Sequence, residues 1–188
     1  MTPKTILAAS LAAIFAVSMI MTPAMAASSG FLIIKSRNAS IDEGFLDVSL
    51  RTKSAIPTNG KAGAFGYAVL TNSAETGLNN VVVLVTHLPI DDSSHENQKT
   101  GFHTHVLDLM SPTAACSEHA LEVDLNGSVA NSAFDSDYEY KIKGNKASIV
   151  GIPTSDLDGA TDVIGVVAFT VTPVFDGDTL TNLCVDVV

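Results

Sequence analysis

The chain has 188 residues, room for one domain with a substantial core, and carries 20 Asp and Glu against 10 Lys and Arg, a formal net charge of -10. That balance, with no run of Lys or Arg anywhere, argues against nucleic acid and anionic lipid as partners. Two Cys and five His remain as the residue types on which metal or redox chemistry can be built.

Lys4 is the sole charge ahead of an apolar run from Ile6 to Met21, and Pro23-Ala24-Met25-Ala26 ends in an A-x-A motif. This pattern predicts a secretory signal peptide over residues 1–26, cut after Ala26. The run is short for a membrane span, which needs about 20 residues. The expected product is secreted or otherwise extracytoplasmic, soluble once cleaved, with residues 27–188 forming a single domain.

Phe31 to Ile34 reads as a first strand or as an apolar N-terminal arm. Phe45 to Arg51 alternates cleanly, and Pro57, Asn59-Gly60 and Gly63 mark turns before a further strand over Ala64 to Thr71. Val81 to His87 is β-branched and apolar on both faces, as a central strand is. A polar loop from Leu88 to Thr100 separates it from a strand opening at Gly101-Phe102-His103-Thr104-His105.

Leu121 to Leu125 alternates and stops at Asn126-Gly127. Tyr138 to Lys143 is a half-buried strand that turns through Gly144-Asn145 into Ala147 to Ile152. Val163 to Val171 and Leu183 to Val188 are strands separated by the turn-former Asp176-Gly177-Asp178. No long window shows a capped helical period. About eight short strands with turn signals between them predict an all-β sandwich or barrel.

Cys116 and Cys184 form an even pair in an exported chain, so one disulfide is the default expectation. Two free thiols, or one thiolate acting as a metal ligand, are the alternatives.

Residues i and i+2 of a strand share a face, so His103 and His105 point the same way and can grip one ion together. His119 follows after a short loop. If the Val81–His87 strand pairs with the His103 strand, His87 falls roughly opposite His103, although a slip of one residue turns it to the other face. His95 lies in an acidic loop. The bland reading of these imidazoles is a set of hydrogen-bonded rim residues on a structural module.

Gly101-Phe102-His103-x-His105, then Cys116, His119 and a C-terminal Cys184, resembles the copper/zinc superoxide dismutase family. The resemblance covers about the second half of the chain and implies a Greek-key β-sandwich of about eight strands. It implies that His103 and His105 ligate copper, that His119 stands where the family's bridging histidine lies, and that Cys116 pairs with Cys184. The chain departs from the family elsewhere. No histidine follows His119, only Glu122 and Asp124 stand where zinc ligands are needed, and Asn182 stands near the place of the anion-guiding arginine. These departures imply weak or no dismutation. The His-x-His strand also resembles the CHRD domain of secreted proteins.

The expected site is thus one copper ion on His103, His105 and His119, with His87, His95 or water completing the sphere and zinc possible in the same place. Three readings of function follow. The first is extracytoplasmic copper binding or a redox role, with superoxide dismutase-like chemistry if the protein is an enzyme. The second is a structural or interaction module without metal. The third is a cupredoxin-type carrier based on Cys116-x-x-His119, which lacks the methionine that should close such a loop. Asp108 is a candidate to orient a ligand from outside the coordination sphere.

Overall fold

The computed structural model describes residues 29–72, 78–87 and 94–188. The segment assigned to the signal peptide lies outside the described residues. None of the described helices is long and apolar enough to cross a membrane.

Among the described residues eleven strands form two antiparallel sheets. In chain order they are β1 (Ile34–Asp42), β2 (Phe45–Thr52), β3 (Phe65–Thr71), β4 (Val81–Thr86), β5 (Phe102–Leu107), β6 (Leu109–Met110), β7 (Leu121–Val123), β8 (Glu139–Lys143), β9 (Lys146–Pro153), β10 (Val163–Asp176) and β11 (Thr179–Val187). Sheet A has the order β1-β2-β9-β8, and sheet B the order β5-β4-β3-β10-β11-β7-β6. In sheet B, β3, β4 and β5 follow one another and β10 returns beside β3, which is the Greek-key arrangement.

Alternation explains the packing. Leu46, Val48 and Leu50 of β2 and Ala147, Ile149 and Ile152 of β9 face Phe65, Tyr67, Val69, Val82, Leu84 and Phe102 of sheet B, all buried in one core. Phe65 sits at its centre, with the rings of Phe31, Tyr67 and Phe102 at centroid distances of 4.7, 6.3 and 5.6 Å. Burying such side chains contributes about 1.5–3 kcal/mol each, which makes this inter-sheet layer the main source of stability. The outer face of sheet B buries a second layer, including Val81, Val83, Val85 and Phe169. Two buried faces are why β4 is apolar from Val81 to Val85.

Three features differ from the sequence expectation. Strand β1 is absent from it because an edge strand is polar by necessity, and Lys35 to Asn38 carry no apolar residue. A short helix α1 (Leu125–Ala130) replaces the expected turn at Asn126-Gly127; the Asp124 carboxylate caps it by accepting from the Gly127 N–H. The 3-10 turn Gly30–Leu32 stands where Phe31 to Ile34 reads as a strand or arm, and strand structure starts only at Ile34. The β1–β2 turn has Glu43 at φ 49° and Gly44 at φ 84°, the two successive positive angles of a tight hairpin.

Candidate metal centre

Three of the five histidines converge at one end of sheet B. Val85 pairs with His103 and Val83 with His105, so the two imidazoles share the outer face with Val83 and Val85. His87 comes directly after β4. It lies two residues beyond the position opposite His103, and the even offset keeps it on the same face. All three are buried: His87 is 6% exposed, His103 1% and His105 2%. Each offers one ligand atom, and these atoms lie within 4.8 Å of one another.

The surroundings fix two of the ring tautomers. His103 Nδ1 lies 3.0 Å from the Gly101 carbonyl oxygen, and His105 Nδ1 lies 2.7 Å from that of Phe134. A carbonyl can only accept, so each Nδ1 carries the proton and the neutral ring presents its lone pair at Nε2. Such a backbone anchor on the far nitrogen is the usual support of a metal-binding imidazole.

Each anchor has a local cause. The turn before β5 is built by Asn97, whose side-chain oxygen accepts from the Lys99 and Thr100 N–H groups while its carbonyl accepts from the Gly101 N–H. Gly101 sits at φ 69°. On the other side, residues 131–138 run along edge strand β5 and are stitched to it, with Thr104 donating to the Ser136 carbonyl at 2.6 Å. The Phe134 ring stacks on His105 at 4.7 Å and 16°.

The ring centres form a right-angled rather than equilateral triangle. His103 is 4.6 Å from both His87 and His105, which are 6.3 Å apart and parallel to within 1°. The point equidistant from those three centres lies about 3.2 Å from each. An imidazole nitrogen about 1.1 Å from its ring centre, plus a metal–nitrogen bond of about 2.0–2.1 Å, gives the same distance. His87 Nε2 and His103 Nε2 are 3.0 Å apart. Two bonds of about 2.05 Å spanning that gap meet at about 94°, nearer the square angle than the tetrahedral one.

His119 is not in this group. Its Nδ1 lies 2.8 Å from an oxygen of Asp186, a residue of β11. Four inter-strand spacings separate β11 from β5, about 19 Å. The expectation that His119 joins His103 and His105 on one ion is therefore corrected. Its loop is instead tied to β11 by the Cys116–Cys184 disulfide, and the pairing of these two cysteines also removes the thiolate needed for a cupredoxin centre.

His95 faces Asp137 at 3.7 Å and is not in the cluster either. Asp108 accepts from the Asn80 N–H at 2.9 Å and orients no imidazole through any described hydrogen bond. The sequence reading missed the two backbone acceptors, Gly101 and Phe134, because a main-chain carbonyl leaves no residue signature.

Glu122 on β7 is another buried ionisable group of sheet B, 1% exposed. Burial works to raise its carboxyl, but hydrogen bonds from Asn182 at 2.6 Å and the Thr113 N–H at 2.7 Å outweigh it and hold the group below the usual carboxylate range. It lies opposite Cys184 and far from the imidazoles.

Comparison with known protein families, with curated proteins and with solved structures finds no match for this chain.

Proposed function

We propose that this protein is an extracytoplasmic copper-binding β-sandwich, a single domain after removal of residues 1–26, whose ion is held by His87, His103 and His105. The observation that carries the reading is the triangle of ring centres. Three tetrahedral ligands would be mutually equidistant, whereas two right angles and one opposed pair are what tetragonal Cu(II) accepts. The same three nitrogens remain able to take zinc in a more distorted site.

The role in this reading is copper carriage or a redox function outside the membrane. The resemblance to superoxide dismutase rests on the Gly101–His105 strand and the two cysteines, and it supports the sandwich and the copper more than the enzyme. A net charge of -10 and Asn182 in place of a guiding arginine oppose the approach of an anion, so superoxide consumption is expected to be weak or absent.

The test is titration of the purified protein with Cu(II), followed by metal analysis and EPR. One ion per chain and an axial, nitrogen-coupled signal are expected. His103→Ala and His105→Ala should each lower affinity more than 100-fold, beyond the loss typical of outer-shell partners. A protein that folds normally and binds no copper, or binds it equally well in both variants, removes the assignment. What is left then is a structural module without metal.

A further inference from the structure

We propose that the outer face of sheet A is a docking surface for an acidic polysaccharide chain. The register of the four strands sets Ser36, Arg51, Lys146 and Lys143 in one cross-strand row. Two residues along, the next row is Asn38, Ser49, Ser148 and Lys141. Arg51, Lys141, Lys143 and Lys146 are all exposed. Among the described residues none of them forms an ion pair with a carboxylate.

This arrangement costs the free protein stability. Like charges directly opposite one another in a sheet repel, and Arg51, Lys146 and Lys143 occupy three adjacent strands. Four of the chain's ten Lys and Arg residues stand on this one patch of an otherwise strongly acidic molecule. An anion laid across the rows relieves that repulsion.

Shape and composition select the ligand. The rows span three inter-strand spacings, about 14 Å, and the block is about 7 Å deep along the strands. The row beyond it carries Asp47 of β2 and Glu139 of β8, both exposed. A bilayer or a nucleic acid duplex would press anionic groups against those carboxylates, well inside a screening length of about 8–10 Å. A single narrow chain crossing the strands touches the cations alone. Lys and Ser are depleted in protein–protein interfaces, which disfavours a protein partner. No aromatic side chain stands in the two rows to stack on bases. The hydroxyl and amide groups of Ser36, Asn38, Ser49 and Ser148, interleaved with the cations, suit sugar hydroxyls beside carboxylate or sulfate.

The experiment measures binding of the full chain to heparin and to polygalacturonate over a range of salt. The comparison is between Lys143→Gln/Lys146→Gln and the charge-matched control Lys61→Gln/Lys99→Gln. Binding to at least one polymer is expected, weakened at least tenfold by the first pair and less than twofold by the second. The logarithm of affinity should fall against the logarithm of salt with a slope of about -2 to -3, as three or four neutralised charges require. No binding to either polymer at low salt overturns the proposal, as does equal loss in the two double variants. Tighter binding to phosphatidylserine vesicles or duplex DNA than to both polysaccharides overturns it in favour of those surfaces.

Discussion

The two flanks of sheet B solve opposite problems with similar residues. At the β4–β5 flank three imidazoles are buried together, and His103 and His105 are anchored at Nδ1 by carbonyl oxygens so that their Nε2 lone pairs face inward. At the β11–β7 flank one imidazole, His119, is spent on Asp186, one buried carboxylate is fully hydrogen-bonded by its neighbours, and two sulfurs are joined. The first flank holds three imidazoles whose ligand atoms lie within 4.8 Å of one another, close enough to hold one metal ion. The second holds polar atoms that satisfy one another. Proximity to a histidine motif in sequence therefore does not decide which histidines act together; the backbone partner of each Nδ1 and the strand that carries it do.

The largest effect expected from disturbing this contrast comes from the disulfide. Cys116 and Cys184 are separated by 68 residues, and the chain-entropy model assigns about 4 kcal/mol to closing such a loop. Cys116→Ser/Cys184→Ser should lose about that much in denaturant unfolding. Copper stoichiometry should stay at one in the fraction that remains folded, because the bond lies four strands from the imidazoles. Loss of copper from a folded double variant would show that the two flanks are coupled.

Glu122 gives the next largest effect, and its sign follows from the lowered carboxyl. A group depressed in the folded state contributes stability that is present above its unfolded value, about 4.3, and that is lost as pH falls through the folded value. Glu122→Gln should cost about 1–3 kcal/mol at neutral pH, since one of the two donors, Asn182 or the Thr113 N–H, loses its acceptor. The penalty should shrink as the pH is lowered below about 4. A penalty independent of pH, measured by thermal unfolding between pH 3 and 7, would assign the cost to packing instead.

The smallest effect is at His119. Its hydrogen bond to Asp186 is partly exposed, with side-chain exposures of 23% and 27%, so His119→Ala should change stability by less than about 1 kcal/mol. Copper affinity should move by less than twofold. Set beside the loss expected for His103→Ala, this separates the two flanks by calorimetric copper titration. A His119→Ala variant as impaired as His103→Ala would restore the four-histidine site.

Alternation made most of the strands legible. Phe45 to Arg51 alternates, with Leu46, Val48 and Leu50 at every second position, and those three are the buried ones. Tyr140 and Ile142 likewise lie on the inner side of β8, with Tyr138 buried in the same core just before it. Polar edge strand β1 escaped because its outward face and edge leave only Ile34, Ala39 and Ile41 to mark an apolar side, the first of them four residues clear of the others. The pairing of His103 with His105 was legible for the same period-2 reason. His87 depended on register, and His119 was misplaced because chain distance says nothing of how many strands intervene.

The sequence by itself determined the all-β class, the shared face of His103 and His105, and the availability of two cysteines for one bridge, since each depends on local periodicity or on residue count. Only the tertiary structure decided that His87 completes the imidazole cluster and His119 does not. It also decided that Arg51 joins Lys141, Lys143 and Lys146 in one basic block, although no run of Lys or Arg exists in the chain. The reason is common to both. Strand order and register bring together residues tens of positions apart through backbone hydrogen bonds that every residue but proline can make, so no side chain announces them.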